Sequence, residues 1–304
     1  MKKQVSAVNR GALGRRDAFR LGGVGLAVAG LAACSRVEDG GTGGGGAATL
    51  DTIRERGYVR VGLANEQPFG FIDGSGSWAG QSPSLAAAIF EELGVSEIQA
   101  TPVTWDGLIP GLQSDRFDVV AAGMFVNPER CEQVLFSEPT AQSPEAFLVD
   151  SGNPFGITNF ESFLDNEEAV LAVLNASVEQ GYAESVGIPE SQLEIISDQT
   201  QGYELLSSGR VDAVSMPSAS NNYILQSRGG DFEVTEPFFP VIDGEEQRGY
   251  GALAFPLGNE ALVDEVNAVL ADFKENGRLL EIGQEWGFSE ADLPGDVTTE
   301  ELCS

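Results

Sequence analysis

The segment YVRVGL, residues 58–63, begins the strand–helix–strand unit that decides the fold. Its alternating and partly β-branched pattern predicts a strand. PSLAAAIFEEL, residues 83–93, predicts a helix that stops at Gly94, and IQATPVT, residues 98–104, predicts a second strand. Because strand and helix alternate in this way, the unit indicates a parallel α/β sheet.

The same alternation continues and then starts again in the second half of the chain. A helix at residues 108–114 and a buried strand at residues 117–122 complete the first half. The second half repeats the order, with strands at 170–174, 193–197 and 211–215 and helices at 178–186, 201–208 and 218–227. Two halves built on one plan predict two α/β lobes.

Two extended apolar segments, EAFLV at residues 145–149 and YGALAF at residues 250–255, are expected to be strands that cross between the lobes. Helices predicted at residues 260–275 and 279–286 are expected to return to the first lobe. The expected organisation is therefore lobe 1 at 50–145, lobe 2 at 146–249, and a return to lobe 1 with a C-terminal tail at 250–304.

The N-terminus has the pattern of an export signal. Residues 1–33 carry six basic side chains and one acidic one, and they end in an apolar run too short for a comfortable membrane span. The run leads into LAAC, residues 31–34, which resembles the lipobox of bacterial lipoproteins and predicts lipidation of Cys34. A glycine-rich linker at residues 34–49 follows. A buried cysteine is the alternative, and Arg15-Arg16 also resembles a twin-arginine signal.

The composition excludes several classes of function. A formal net charge of -30 excludes nucleic acid as a partner, because a phosphate backbone requires a basic face. Solubility accounts for this charge, and both adaptation to high salt and ordinary acidic drift are compatible with it. The chain contains no histidine, which excludes histidine-based metal sites and Ser-His-Asp triads. No cofactor is expected.

Cys131 and Cys303 are the cysteines that remain after Cys34. Export to an oxidising compartment favours a disulfide between them, and two free buried thiols are the alternative.

Four stretches, in order, carry a resemblance to a known family. They are GYVRVG (57–62) with PFGF (68–71), WDGLIPGL (105–112) with FD (117–118), PER (128–130) with FSEP (136–139), and LSSGRVDAV (206–214). Together they resemble the extracellular solute-binding proteins, family 3, of polar amino acid ABC importers. The resemblance implies a two-lobed, periplasmic-binding-protein-like (type II) fold with a ligand cleft between the lobes. It also implies a monomer that hands its solute to an ABC permease and performs no catalysis.

Further details are similar to the members that bind ectoine and hydroxyectoine, namely GQSP (80–83), MFVNPERC (124–131) and the late Cys303. Amino acid binders of the family carry an aspartate for the ligand's ammonium at the place where this chain has Pro217. The resemblance thus implies a small zwitterionic solute other than an ordinary α-amino acid.

The first lobe offers candidates for both ends of such a solute. Arg130 is expected to grip a carboxylate with its planar fork, although most arginines form surface salt bridges. Phe69, Trp105 and Phe125 are expected to box the cationic end, with core packing as the alternative role. Glu66 is expected to accept hydrogen bonds from a protonated ring nitrogen, or else to be a solvated loop residue.

Three candidates come from the second lobe. Asn175 and Ser177 lie between a strand and a helix, where backbone amides and the Ser177 hydroxyl are placed to meet a carboxylate. Simple N-capping by Ser177 is the alternative. Asp198 follows the next strand and is expected to face the cleft.

Other functions remain open from the sequence alone. A binder of polar amino acids is the nearest alternative. An enzyme resembling cyclohexadienyl dehydratase would need a general acid or base, for which Glu66 is the candidate. A sensor lobe of a membrane kinase is the third alternative.

Overall fold

A computed structural model describes residues 48–304. The predicted signal peptide, the lipidation site Cys34 and most of the predicted linker lie outside the described residues. Across residues 48–304, the helices are too short or too polar for any of them to span a membrane.

The described chain contains fifteen strands and eleven α-helices. The strands are β1 Tyr58–Leu63, β2 Phe71–Ile72, β3 Trp78–Ala79, β4 Glu97–Pro102, β5 Val119–Phe125, β6 Leu135–Phe136, β7 Ala141–Ser143, β8 Glu145–Asp150, β9 Leu171–Leu174, β10 Leu193–Ile196, β11 Ala213–Pro217, β12 Phe232–Val234, β13 Val241–Ile242, β14 Glu245–Glu246 and β15 Gly249–Phe255. The helices are α1 Leu50–Arg56, α2 Gln81–Glu92, α3 Leu108–Gln113, α4 Pro128–Cys131, α5 Ser162–Asp165, α6 Val178–Val186, α7 Gln199–Ser207, α8 Ser218–Arg228, α9 Glu260–Asn276, α10 Arg278–Gln284 and α11 Thr299–Leu302.

The first lobe is built on a sheet with the strand order β4-β1-β5-β15-β6, and β7 also pairs with β15. Strands β4, β1 and β5 run parallel, whereas β15 is antiparallel to β5. The strand expected at residues 117–122 lies instead at Val119–Phe125, where every residue is buried. Asp118 precedes the strand because its carboxylate pairs with Arg56 and Arg60 and accepts the Arg60 backbone N–H.

The second lobe repeats this plan with the order β10-β9-β11-β8-β12. Strands β10, β9 and β11 are parallel, and β8 is antiparallel to β11. The extended segment 141–150 crosses between the sheets, because β7 pairs with β15 and β8 pairs with β11. The chain crosses back between Phe238, which pairs with Glu145, and the start of β15. Residues 250–255, which were expected to cross, lie instead within the first-lobe sheet as part of β15. The predicted fold class, two α/β lobes joined by two crossings, is confirmed.

The C-terminal helices α9 and α10 pack on the first lobe, as predicted. Their buried side chains, including Val266, Leu270 and Ile282, belong to the same apolar cluster as Val61 of β1 and Phe90 of α2. Burying such side chains contributes roughly 1.5–3 kcal/mol each, so this pairing closes the first lobe's core with residues from the far end of the chain.

The acidic tail ends in the short helix α11, which also lies against the first lobe. The structure joins Cys131 and Cys303 by a disulfide with a Cα–Cα distance of 5.7 Å. The Thr299 hydroxyl donates to the Ser137 carbonyl at 2.7 Å, and Leu302 packs against the first-lobe core. Leu302 therefore gives the tail an apolar contact that its polar composition did not predict.

Candidate functional site

A narrow cavity of about 20 Å³ lies between the lobes and is lined by both of them. Its walls are Glu66, Phe69, Trp105, Ala122, Gly123, Phe125, Arg130, Leu174, Ser177, Val178, Glu179, Met216 and Pro217. A larger and more open space of about 660 Å³ shares Trp105, Arg130, Ser177 and Val178 with it. We call these the inner cavity and the outer cavity. The outer cavity falls within the size range of small-ligand pockets, roughly 300–1,000 Å³, whereas the inner cavity is far smaller than that range.

Arg130 is held in place by helix α4 and by the end of β5. The Asn127 side chain caps α4 by accepting the Arg130 backbone N–H at 2.9 Å. The Arg130 side chain is only 7% exposed, and its Nη1 donates to the Phe125 carbonyl at 2.8 Å. Burial lowers the pKa of its guanidinium, which still stays protonated at neutral pH because arginine starts from so high a value. Its Nη2 donates a longer hydrogen bond, 3.4 Å, to the Ala176 carbonyl.

The three predicted aromatic residues all line the inner cavity. Trp105 lies under Arg130, with 5.3 Å between its ring centroid and the guanidinium carbon. The Phe125 ring packs over Gly249 so closely that a Cβ on that glycine would lie 2.0 Å from it. Phe69 also packs edge-on against Phe288, with centroids 5.4 Å apart. Phe69 therefore combines a place in the cavity wall with the core-packing role that was its alternative.

Glu66 is buried rather than solvated, with 6% of its surface exposed. Its backbone pairs with Gly70, which folds the loop after β1 inward. The Ser220 hydroxyl of α8, in the other lobe, donates to Glu66 Oε1 at 2.6 Å. Burial raises the pKa of Glu66 to about 8, against the opposing effect of the Ser220 hydrogen bond. A bound cation would favour its ionised form.

Two further buried carboxyl groups were missed from the sequence. Glu179, in the first turn of α6, is 5% exposed and lines the inner cavity. Glu145, the first residue of β8, is 2% exposed and lies behind Glu179. Burial raises the pKa of both groups, and each also interacts with the other. A lone glutamate at the head of the apolar segment EAFLV was the signal for Glu145.

Of the three candidates from the second lobe, one lines the inner cavity and two do not. Ser177 lines the inner cavity, and it also caps α6 by accepting the Gln180 backbone N–H at 3.2 Å. Asn175 does not line the cavity; its amide donates to Asp106 Oδ2 at 2.9 Å across the cleft. Asp198, expected to face the cleft, lines neither cavity. It caps α7 by accepting the Gln201 backbone N–H at 2.9 Å, and this cap starts the helix at Gln199, earlier than predicted.

Several hydrogen bonds hold the two lobes against each other around the cavity. Trp105 Nε1 donates to the Ala176 carbonyl at 3.2 Å, and Arg130 Nη2 donates to the same carbonyl at 3.4 Å. On another side, the Gln199 amide accepts from the Gln67 backbone N–H and donates to the Gln67 carbonyl. The structure therefore represents a closed arrangement. Within residues 48–304, no group of histidine, cysteine and carboxylate side chains is arranged to hold a metal ion.

Comparison with known proteins agrees with this geometry. The family model for bacterial extracellular solute-binding proteins, family 3, matches residues 59–290. The probable amino-acid ABC transporter periplasmic-binding protein y4tE of Sinorhizobium fredii is 35% identical over 266 residues, covering 85% of this chain and 87% of the relative.

Two solved structures are also similar. The crystal structure of EhuB in complex with hydroxyectoine has a TM-score of 0.76 at 33% identity, covering 84% of this chain and 97% of EhuB. The ancestral amino acid-binding protein AncCDT-1, a precursor of cyclohexadienyl dehydratase, has a TM-score of 0.69 at 30% identity, covering 79% and 99% of the two chains.

Proposed function

Because this chain belongs to the bacterial extracellular solute-binding proteins, family 3, we propose that it captures an ectoine-type zwitterionic solute for an ABC importer. The family predicted from the four motifs is confirmed, and the chain is the substrate-binding protein of an amino-acid-type ABC importer. The family relative and the EhuB structure named above are a solute-binding protein and a complex with a solute. The identity of the solute is what we propose here.

One observation carries the proposal: a single inner cavity brings together Arg130, three aromatic rings and Glu66. A zwitterion with a planar cationic ring matches this set. Its carboxylate pairs with the guanidinium of Arg130, and its ring lies among the aromatic faces, each worth about 0.5–2 kcal/mol to a desolvated cation. A ring N–H donates to Glu66, which the Ser220 hydroxyl orients.

Binding and lobe closure are coupled in this proposal. Arg130, Trp105 and Glu66 belong to the first lobe, yet each also hydrogen-bonds a residue of the second lobe. A solute that fills the cavity therefore stabilises the closed arrangement, which is the form that a permease distinguishes from the open one. In this proposal the two closing bodies are lobe 1, residues 50–145 with the return at residues 250–304, and lobe 2, residues 146–249.

An ordinary polar amino acid is the alternative solute, and the position of Pro217 argues against it. Pro217 ends β11 and lines the inner cavity. An α-ammonium group would find no carboxylate at this position, because the proline ring offers neither charge nor N–H. The raised pKa of Glu66 is the one observation that suits the dehydratase-like alternative, whereas the relatives named above support solute binding.

Calorimetric titration of residues 48–304 tests the proposed solute. We expect ectoine or hydroxyectoine to bind at least about tenfold more tightly than glutamine, histidine or arginine, a difference of about 1.4 kcal/mol. Micromolar binding of one of these amino acids, with no binding of ectoine, would contradict the proposal and favour the amino acid alternative.

We propose in addition that Cys34 carries a lipid that anchors the protein outside the cell membrane. The lipobox-like LAAC at residues 31–34 and the glycine-rich segment that follows it support this. Fractionation of cells that produce Cys34→Ser should find the protein released from the membrane. A variant that stays with the membrane fraction would count against the anchor.

A further inference from the structure

A hydrogen-bonded contact between the lobes lies outside both cavities, at residues 67 and 199. Gln67 belongs to the first-lobe loop after β1, and Gln199 is the first residue of α7 in the second lobe. Neither residue lines the inner or the outer cavity. The Gln199 side chain is nevertheless only 4% exposed, so its amide needs hydrogen-bond partners.

Backbone groups supply those partners. Gln199 Oε1 accepts the Gln67 N–H at 3.1 Å, and Nε2 donates to the Gln67 carbonyl at 3.0 Å and to the Ser220 carbonyl at 2.8 Å. Both N–H donors of the amide are used in this way, so neither is free for a solute. Gln199 thus pairs with the N–H and the carbonyl of Gln67, as a residue of a neighbouring strand would.

The same contact reaches the wall of the inner cavity through Ser220. The Ser220 hydroxyl donates to Glu66 Oε1 at 2.6 Å, while the Ser220 carbonyl accepts from Gln199. Two adjacent first-lobe residues, Glu66 and Gln67, are therefore held by two second-lobe residues that are also bonded to each other. Because these bonds join the lobes, they form together when the cleft closes.

Burial distinguishes this contact from the other side-chain bond across the cleft. Asn175 donates to Asp106 at 2.9 Å, but both side chains are exposed, and water replaces such a bond when it is lost. Without the Gln199 amide, the Gln67 backbone groups would lose their partners in the closed form, whereas water reaches them once the lobes separate. An unpaired buried polar group is unfavourable, so the loss falls on the closed form.

We propose that Gln199 is a positioning residue that latches the closed cleft and determines how long a solute is retained, without contacting that solute. The latch goes beyond the proposed function, because its bonds join the lobes whatever molecule fills the cavity. Its contribution to affinity is therefore the same for every solute, whereas the contribution of a residue that touches the solute depends on the solute's chemistry.

The experiment compares the wild-type protein with Gln199→Leu and Gln199→Glu by calorimetric titration against ectoine, hydroxyectoine, glutamine, histidine and arginine. Leucine is similar in size to glutamine and forms no hydrogen bond, whereas glutamate keeps the shape and loses the N–H donors. Both variants should bind each solute that the wild type binds about tenfold or more weakly, about 1.4 kcal/mol. The losses for different solutes should agree within about twofold.

Stopped-flow kinetics should assign this loss to faster dissociation, with association rates within about twofold of wild type. Gln226→Leu and Gln226→Glu are the matched controls, because Gln226 is an exposed glutamine on α8 of the same lobe. Both controls should keep wild-type affinity and wild-type rates.

Thermal unfolding of the ligand-free protein separates the latch from a structural role. Gln199 also joins α7 to α8 within the second lobe, through the Ser220 carbonyl. Loss of that bond alone would lower the unfolding midpoint and leave the affinity of the folded protein unchanged. If neither variant folds, Gln199→Asn replaces them, since the shorter side chain keeps the amide and withdraws it from Gln67.

Two results would overturn the latch. Affinity within twofold of wild type in a folded variant would limit Gln199 to joining α7 and α8, and a loss that affects one solute but spares another would place Gln199 at the solute. Failure of the proposed solute is a separate outcome. If an amino acid binds and ectoine does not, the proposed function is wrong, and the same variants measured with that amino acid still support or overturn the latch.

Discussion

Arg130 provides the most direct test of how the cleft works, because it is predicted to contact the solute and also joins the lobes. Its Nη1 is held by the Phe125 carbonyl at 2.8 Å, and its Nη2 reaches the Ala176 carbonyl of the second lobe at 3.4 Å. Arg130→Lys keeps the charge and removes the planar fork. Arg130→Ala removes both.

The structure sets the expected magnitudes. Lysine offers one charged nitrogen where arginine offers a bidentate pair, so at least one charge-assisted hydrogen bond is lost, worth about 1.5–3 kcal/mol. Arg130→Lys should therefore weaken solute binding by about tenfold or more. Arg130→Ala leaves the solute's carboxylate unpaired in a closed cavity, which costs about 3–5 kcal/mol and corresponds to a loss of roughly a hundredfold or more.

Calorimetric titration of both variants measures these losses, with circular dichroism to verify that each variant is folded. Arg210→Ala is the matched control, because Arg210 is a second-lobe surface residue whose side chain is 66% exposed and 3.7 Å from Glu194. The control should bind like the wild type. Affinity within twofold of wild type for folded Arg130→Ala would refute the assignment, and would limit Arg130 to holding the Phe125 carbonyl.

Two other predictions concern protonation and the tail. Burial raises the pKa of Glu66 to about 8 in the closed cleft without a solute, and a bound cation lowers it, so affinity measured by titration should rise with pH up to about 8 and then level off. Glu66→Gln should remove this rise; a slope that persists in this variant would assign the titration to Glu145 or Glu179. The Cys131–Cys303 bond spans 172 residues, and Cys303→Ser should cost about 2–4 kcal/mol of unfolding free energy, with about 5 kcal/mol as the loop-entropy limit. An unchanged thermal midpoint, with Cys131 free, would show that the bond contributes no stability.

Much of the fold was predictable because its signals are local. The apolar alternation of residues 58–63 and the helix at residues 178–186 appear in the structure at the predicted bounds. Boundaries moved where a polar side chain made a contact that the apolar pattern does not show. Asp118, paired with two arginines, ends the turn before β5, and the Asp198 cap starts α7 two residues before the predicted position.

The first-lobe site residues were also predictable, because they lie in motifs with a known order. The missed residues, Glu145 and Glu179, have ordinary sequence surroundings. A glutamate in the first turn of a helix usually complements the helix dipole at the surface. Glu179 is buried and lines the same inner cavity as Glu66, an arrangement that depends on how the two lobes meet.

The sequence by itself determined the alternating α/β pattern, the two-lobed plan, the family and the chemistry of the first-lobe wall. These follow from hydrophobic periodicity, turn residues and local motifs, which act over short stretches of chain. The tertiary structure alone decided which second-lobe groups meet the cavity: Ser177 and Glu179 do, whereas Asp198 caps a helix and Asn175 bonds across the cleft to Asp106. The physical reason is that burial and charge pairing depend on surfaces that are far apart in the chain and meet only when the lobes close.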